Sequence, residues 1–508
     1  MQERFDVVIV GAGPAGCVLA ARLSEEPGRR VLLLDAGPDY GPDLAAWPAE
    51  LLEPYHSEVE SHSWGYTNRA DGAGRKLALP RARVVGGCSA INACLWYRGS
   101  RVDYDGWAAA GNPGWGYDDL EPYFRRAESD PDGRPGYHGL TGPVRISRAP
   151  LLSPLDEAML ETAAELGFPL LEDLNGSPEQ IPCAGRTPKN IVEGVRWSAA
   201  LSYLALARPR PNFTLRPDTL VRRVLFEGER ALGVEAADGG RFLGGEVIVS
   251  AGSYASPALL LRSGVGPADH LGELGIPLVR VLPGVGEHLM DHPFIAPYTS
   301  GLTTFPMRRP GTPDCPSFIQ AMVKARSRVA AEEIDLHLYP RQKLDEESSH
   351  WLFGWGVSLQ YARSLGRVWL ASPDPAQPPL IDHNYFGDPR DLEGLLDGIE
   401  LAFRLAETRP LADLVEPPRR RGRAELETIV RAEVGTTFHP SSTCRMGPAS
   451  DPGAVVDAAG RVHGLRGLRV VDASIFPSGP RCNLHNPVVT VAERMADVIR
   501  GRVDAAAE

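Results

Sequence analysis

The chain has 508 residues, 43% hydrophobic and 23% charged, with a formal net charge of −12. These proportions describe an ordinary globular protein large enough for more than one structural unit, and they exclude a disordered or fibrous chain. The basic residues are almost all arginine, so no basic stripe of the kind that holds a nucleic acid is expected, and seven cysteines without a CxxC pair fit reduced thiols better than a disulfide framework or a zinc site.

The sequence MQERFDVVIV enters a strand at once. No basic segment with an apolar run and cleavage site precedes it, and no later apolar stretch is long enough to cross a bilayer. A cytoplasmic protein without a membrane span is expected. Residues 7–10 are a continuous apolar run, as a strand buried on both faces requires. G-A-G-P-A-G follows at residues 11–16, and residues 17–23 carry small and apolar side chains at helical spacing. After Gly28, residues 31–34 predict a second buried strand ending at Asp35. Gly11 permits a tight turn, Gly13 lets the backbone approach a pyrophosphate, and Gly16 lets the helix pack close to the strand. The helix N-terminus offers free N–H groups to phosphate. Asp35 stands where an acid can hold a ribose hydroxyl. This unit predicts dinucleotide binding without separating NAD from FAD.

Further along, residues 151–196 are rich in turns and short amphipathic pieces. Val221 precedes a hairpin-like pattern punctuated by glycine. Between residues 294 and 414, FIQAMV, IDLHLY, VSLQYA and RVWLAS read as strands, and DLEGLLDGIELAFRLAET reads as an amphipathic helix. Strands followed by helix predict an antiparallel sheet with helices on one face. Trp351, Phe353, Trp355 and Tyr361 alternate in a way that fits sheet packing better than the wall of a cavity. TTFHPSSTCRMG, residues 436–447, places His439 in a small polar run. Pro487 is suited to the first position of a terminal helix. Val488, Val491, Ala492 and Met495 form its apolar stripe, and Glu493 and Arg494 are expected to face away.

PRARVVGGCSAINACLWYRG (residues 80–99), SAGSYASPALLLRSGVG (250–266), PGVGEHLMDHP (283–293), TFHPSSTCRMG and LRVVDASIFP occur in order along almost the whole chain. Together they resemble the glucose–methanol–choline (GMC) oxidoreductases, which are FAD-dependent. The resemblance implies an α/β fold. An FAD-binding Rossmann-like three-layer domain (residues 1–150, 197–293 and 440–508) would carry a discontinuous α+β substrate domain (151–196 and 294–439). It implies cofactor contacts from Gly11, Ala12, Gly13, Pro14, Ala15, Gly16, Asp35 and Ala36, and from Trp64 and Arg81. Val85, Gly86, Gly87 and Ser89 follow, with Asn92, Ala93, Cys94 and Leu95 near the reactive edge of the flavin. Val221, Ala251, Gly252, Ser256, Asp472, Ala473, His485, Pro487 and Val488 complete the set. Ser89 is suited to cap a helix start, and Cys88 and Cys94 read as small packed thiols. Some members attach FAD covalently through a histidine just before the asparagine; here Ile91 stands there, which implies non-covalent FAD.

Members pair the histidine of the HPxxTCRMG stretch with a histidine or asparagine ten positions before the Glu of the AER triplet. Counting back from Glu493 gives Asn483, so the resemblance implies His439 and Asn483 as the catalytic pair, with His485 a neighbour. An imidazole titrates near neutrality and can take the proton of an alcohol as hydride leaves carbon. An amide can hold the oxygen as charge develops. The implied activity is oxidation of a primary alcohol to an aldehyde, with oxygen or an artificial or protein electron acceptor reoxidising the flavin. The alternatives are a non-redox lyase of the hydroxynitrile lyase type, a light-driven decarboxylase, or a redox-partner module. CSAINACLW is locally close to choline oxidases, but no acid and aromatic cage identifies choline. A homodimer is left open.

Overall fold

A computed structural model describes the chain except residues 1–3, 55–59, 70–74, 150–151, 297, 302–318, 332, 346–349 and 504–508. The first unit forms as its sequence dictates. Strand β1 (Arg4–Val10) runs into helix α1 (Pro14–Leu23), then strand β2 (Val31–Leu34). β1 pairs in parallel with β2 on one side and with Arg241–Val249 on the other. Phe213–Arg216 extends the sheet beyond β2, and Leu468–Val470 joins the end of Arg241–Val249, both in parallel. The antiparallel hairpin Val221–Glu227 and Arg230–Ala236 completes seven strands. The apolar runs VVIV and VLLL are buried on both faces, the condition for a parallel sheet interior.

α1 packs on the helix His485–Ile499, which packs in turn on Tyr117–Ala127. The expectation that Glu493 and Arg494 face solvent is wrong. Neighbours surround this helix, and both residues are buried. The Glu493 carboxylate takes Arg22 at 2.8 Å, Arg126 at 2.7 Å and the Tyr203 hydroxyl at 2.6 Å. The Arg494 guanidinium lies 4.5 Å from the centroid of the Trp115 ring. The Glu493 charge is tolerated because two guanidiniums and a hydroxyl answer it, whereas Arg494 rests on the Trp115 ring with its Nη1 left without a hydrogen-bond partner. The helix begins at His485, so Pro487 is its third residue rather than its first; it still lies in the turn whose N–H groups have no intrahelical acceptor.

A second sheet of eight strands lies over the first unit's cavity. Its order is Gly435–Thr436, Pro293–Ile295, His350–Leu359, Leu336–Asp345, Ala321–Ala325, Cys183–Arg186 and Leu170–Leu171, with Tyr298–Gly301 also on His350–Leu359. All pairs are antiparallel except the last. Helices Pro154–Glu165 and Pro389–Ala406 cover one face. The period of two sorts the side chains. Leu336, Leu338, Val357 and Leu359 enter the core under the helices, while His337, Tyr339 and Ser358 face the cavity. RVWLAS departs from expectation: Arg367–Trp369 pairs with Leu380–Asp382 in a separate ribbon. The basic run Arg419 to Arg423 also escaped the sequence reading. Three of its four arginines are answered locally, Arg420 by Glu400 and Glu407, Arg421 by Glu425, and Arg423 by Glu393. Among the described residues no helix is long and apolar enough to cross a membrane, and no cluster of metal-ligating side chains occurs.

Candidate active site

A cavity of about 620 Å³ opens at the carboxyl ends of the parallel strands, bounded by Val10, Leu34 and Ser250. The glycine turn there behaves as its three positions require. Gly11 takes φ +101°, and a Cβ on it would stand 2.5 Å from the Ser250 carbonyl oxygen. A Cβ on Gly16 would lie 1.9 Å from the Gly11 carbonyl oxygen, so only glycine lets α1 sit this close to β1. At Gly13 a Cβ would meet nothing within 4 Å, which leaves the backbone bare toward the cavity. Asp35 accepts from the N–H groups of Ala12 at 2.7 Å and Gly37 at 2.8 Å. Burial outweighs those hydrogen bonds and pushes its carboxyl up to about 6. The Ser250 hydroxyl lines the cavity, buried and without a partner. A bare glycine, an uncapped helix start and an orphaned hydroxyl fit the pyrophosphate and ribose of FAD.

Most sequence-predicted residues line this cavity: Gly11, Gly13, Pro14, Ala15, Asp35, Ala36, Trp64, Arg81, Gly87, Ser89, Asn92, Ala93, Leu95, Val221, Ala251, Gly252, Asp472, Ala473, His485 and Val488, with His439 and Asn483. Ala12, Gly16, Val85, Gly86, Cys94, Ser256 and Pro487 do not reach its wall and act behind it. Gly86 donates to the Ala12 carbonyl at 2.8 Å, and the Ser256 hydroxyl donates to Asp472 at 2.6 Å. Cys94 is a buried thiol in a left-handed turn, φ +63°. Cys88 is half-buried, packed against the core on one side and lining the cavity on the other. Ser89 does not cap its own short turn Gly87–Ala90, where it donates to the Gly86 carbonyl; its hydroxyl accepts instead from Ala199 N–H, at the start of the helical stretch that continues through Ala200–Leu204.

The turn that follows Gly435–Thr436 brings in His439, and the segment before His485–Ile499 brings in Asn483. The Asn483 amide nitrogen stands 3.2 Å from His439 Nε2. Two residues missed in the sequence fix the imidazole from behind. His439 Nδ1 lies 2.9 Å from His292 Nδ1 and 2.9 Å from the Thr437 hydroxyl. Asp291 accepts the His439 backbone N–H at 2.9 Å and the hydroxyls of Tyr385 and Thr436. Arg81 donates to the Phe438 carbonyl at 2.8 Å, where the chain takes φ +64°. Burial, with the nearby His292, Arg81 and His337, holds His439 well below the ordinary histidine value, so its imidazole is neutral. Asp291 and His292 lie within the quoted PGVGEHLMDHP; a polar pair entering a strand was the signal.

His485 is 8% exposed, its ring edge-on to Trp96 with centroids 5.1 Å apart, and its Nδ1 faces the Asn92 amide at 3.5 Å. Burial pushes it down to about 4. Phe353 and Trp355 are core residues under the helices, as sheet packing predicts. Tyr361 lies under the Arg481 guanidinium at 3.9 Å, off the cavity wall. The side chain of Trp351 lies outside the described residues.

The family model described as GMC oxidoreductase matches this chain in two parts, residues 5–294 and 362–492. The mitochondrial choline dehydrogenase of Homo sapiens is 37% identical, over 99% of this chain and 90% of its own. The oxygen-dependent choline dehydrogenase of Brucella ovis is 36% identical, over 98% and 96%. The crystal structure of pyridoxine 4-oxidase from Mesorbium loti is similar with a TM-score of 0.87 at 32% identity, covering 98% of this chain and 99% of that one. A formate oxidase structure, 26% identical, gives the same score over 99% of each chain. Sequence, fold and the geometry of the cavity agree, and the chain belongs to the GMC oxidoreductase family, as an FAD-dependent oxidoreductase acting on CH–OH groups.

Proposed function

We propose that His439 is the base, and Asn483 the amide that holds the reacting oxygen, in oxidation of a primary alcohol to an aldehyde. The observation that carries this reading is the 3.2 Å approach of the Asn483 amide to His439 Nε2 on the cavity wall. The hydroxyl proton passes to His439 Nε2, the carbon gives up hydride, and the carbon–oxygen bond becomes double. Bound FAD supplies the two-electron acceptor for that hydride. A neutral imidazole is ready to take the proton, a contribution of about 10²–10⁴ in rate. The Asn483 amide N–H stabilises charge growing on the oxygen. Glycine turn, Ser250, Asp35 and the end of His485–Ile499 would hold the cofactor. Ile91 on the cavity wall, where a histidine would make the covalent link, supports dissociable FAD.

The names of the related proteins divide between dehydrogenases and oxidases. Two of the named substrates, choline and pyridoxine, are alcohols and support an alcohol here; formate, named for the more distant oxidase, is not one. None of them favours the lyase or decarboxylase alternatives. A cytosolic site of action is supported by the six described cysteines, none of them in a disulfide. The test is an anaerobic screen of alcohols by loss of flavin absorbance, followed by air. Bleaching by an alcohol is the expected result, and the rate of recovery in air separates oxygen from another acceptor. Flavin that no alcohol bleaches overturns the reading.

A further inference from the structure

Three alternate residues of the strand Leu336–Asp345 face the cavity: His337, Tyr339 and Arg341. Each has an observation attached. His337 is buried, lies close enough to His292 and His439 to shift their shared electrostatics, and its Nε2 has no hydrogen-bond partner. A buried, unpartnered polar atom on a cavity wall asks for a partner from what enters the cavity. The Tyr339 ring is nearly parallel to that of Phe294, at 15° with centroids 6.3 Å apart. Gly356, opposite it in the sheet, makes room, since a Cβ there would stand 2.5 Å from the Tyr339 ring. Arg341 places its guanidinium 5.4 Å from the Phe294 centroid, and no carboxylate among the described residues pairs with it.

Among the described lining residues the carboxylates are Asp35, Asp472 and Glu433. Asp35 and Asp472 belong to the nucleotide end, where each is held by backbone N–H groups. Glu433 is exposed to solvent. Arg341 therefore meets the substrate without a competing buried acid. A quaternary ammonium wants an aromatic cage and a negative charge; an aromatic ring with an anionic or hydroxyl substituent wants parallel rings, a guanidinium and an orphaned imidazole nitrogen.

We infer that the row His337–Tyr339–Arg341, with Phe294, selects an aromatic primary alcohol whose ring carries an anionic or hydroxyl substituent, in preference to a cationic alcohol such as choline. This rests on the alcohol-oxidation reading and names its substrate class. The experiment uses the holoenzyme under anaerobic conditions and compares flavin reduction by benzyl alcohol, meta-hydroxybenzyl alcohol, para-(hydroxymethyl)benzoate and choline. The substituted aryl alcohols are expected to reduce the flavin with the largest second-order rate constants, and choline with the smallest. Arg341→Gln is expected to slow the benzoate by about 10- to 100-fold while benzyl alcohol changes by less than about threefold. Arg341→Lys recovers part of the loss. His337→Phe slows the hydroxybenzyl substrate in the same selective way. Benzoate, which carries no alcohol to oxidise, is expected to perturb the flavin spectrum and to bind more weakly to Arg341→Gln. Choline as the best substrate, or equal slowing of all four alcohols in Arg341→Gln, overturns the inference and leaves alcohol oxidation standing. Flavin that none of the four reduces overturns the inference, and flavin that no alcohol of the wider screen reduces overturns both.

Discussion

His292 and His439 meet Nδ1 to Nδ1 at 2.9 Å, with their rings at 81°. The direction of that hydrogen bond is set from outside. The Pro480 carbonyl, which can only accept, lies beside the His292 ring, and a proton on His292 Nε2 is the arrangement that satisfies both it and the Nδ1 contact. His292 Nδ1 is then an acceptor, and His439 must carry its own proton on Nδ1. Nε2 of His439 is left with a lone pair toward Asn483 and the cavity. A backbone carbonyl thereby selects the tautomer of the base. Replacing His292 by Phe removes the acceptor. Turnover is expected to fall by about 10- to 100-fold with flavin content unchanged, and stopped-flow flavin reduction beside the flavin spectrum checks it. An unaltered reduction rate would show that Thr437 alone suffices to orient the ring.

His439→Ala removes the proposed base outright. Flavin reduction is expected to slow by about 10²–10⁴ while the protein stays folded and yellow. Asn483→Ala is expected to cost about 10²–10³ in kcat/KM through the lost hydrogen bond to the reacting oxygen. Near-normal rates in either variant would remove that residue from the assignment.

Burial, His292 and Arg81 together lower the affinity of His439 for a proton. The base is competent when neutral, so kcat/KM should rise with pH along an acid limb centred below 6.5 and stay level above it. Arg81→Gln removes one of the positive neighbours and should move that limb to higher pH. A limb that moves the other way, or does not move, contradicts the electrostatic account.

Ile91 offers no nucleophile for a covalent link. Acid or heat denaturation should therefore leave the flavin in the supernatant and a colourless pellet. Absorbance of the two fractions decides the matter.

His138 stands between two carboxylates, 2.6 Å from Glu128 and 2.8 Å from Asp173, with Asp130, Arg98 and Arg148 around them. Burial alone would discharge it, but hydrogen bonds to Asp173 and Glu128 prevail and lift it to about 9. A histidine raised from 6.5 stabilises the fold fully below 6.5, and the contribution is lost as pH climbs through about 9. Melting temperature should fall over that interval. His138→Leu should lower it at neutral pH and flatten the slope, because it leaves three buried acids with only Arg98 and Arg148 to answer them.

The cofactor end was legible because its constraints are local. Gly11, Gly13 and Gly16 announce a turn, a bare approach and a close packing within six residues, and Val7 to Val10 announce burial. The pair His439 and Asn483 was legible only through resemblance, since nothing local says that two segments so far apart will meet. What failed was decided by neighbours. Glu493 reads as a solvent-facing residue until Arg22, Arg126 and Tyr203 close around it. Pro487 reads as a helix start, but the helix reaches back to His485. Asp291 and His292 were passed over because their meaning lies in what they touch. The alternation in LHLYPR held the signal for His337, Tyr339 and Arg341, but which side of the sheet faces a cavity is settled only by the helices on the other.

The buried carboxylate of Glu493 joins the first helix of the cofactor unit to the last, and that has a bearing on biosynthesis. A ribosome that has reached Arg481 has already made β1, α1 and the glycine turn, yet the Asn483 amide does not exist and Arg22 has only Glu25, not the buried Glu493, to answer it. The nascent nucleotide pocket lacks one wall until translation has passed Ile499. Loading of the yellow prosthetic group therefore belongs to the interval after that helix emerges, and an arrested chain cut short at residue 480 should be purified without colour.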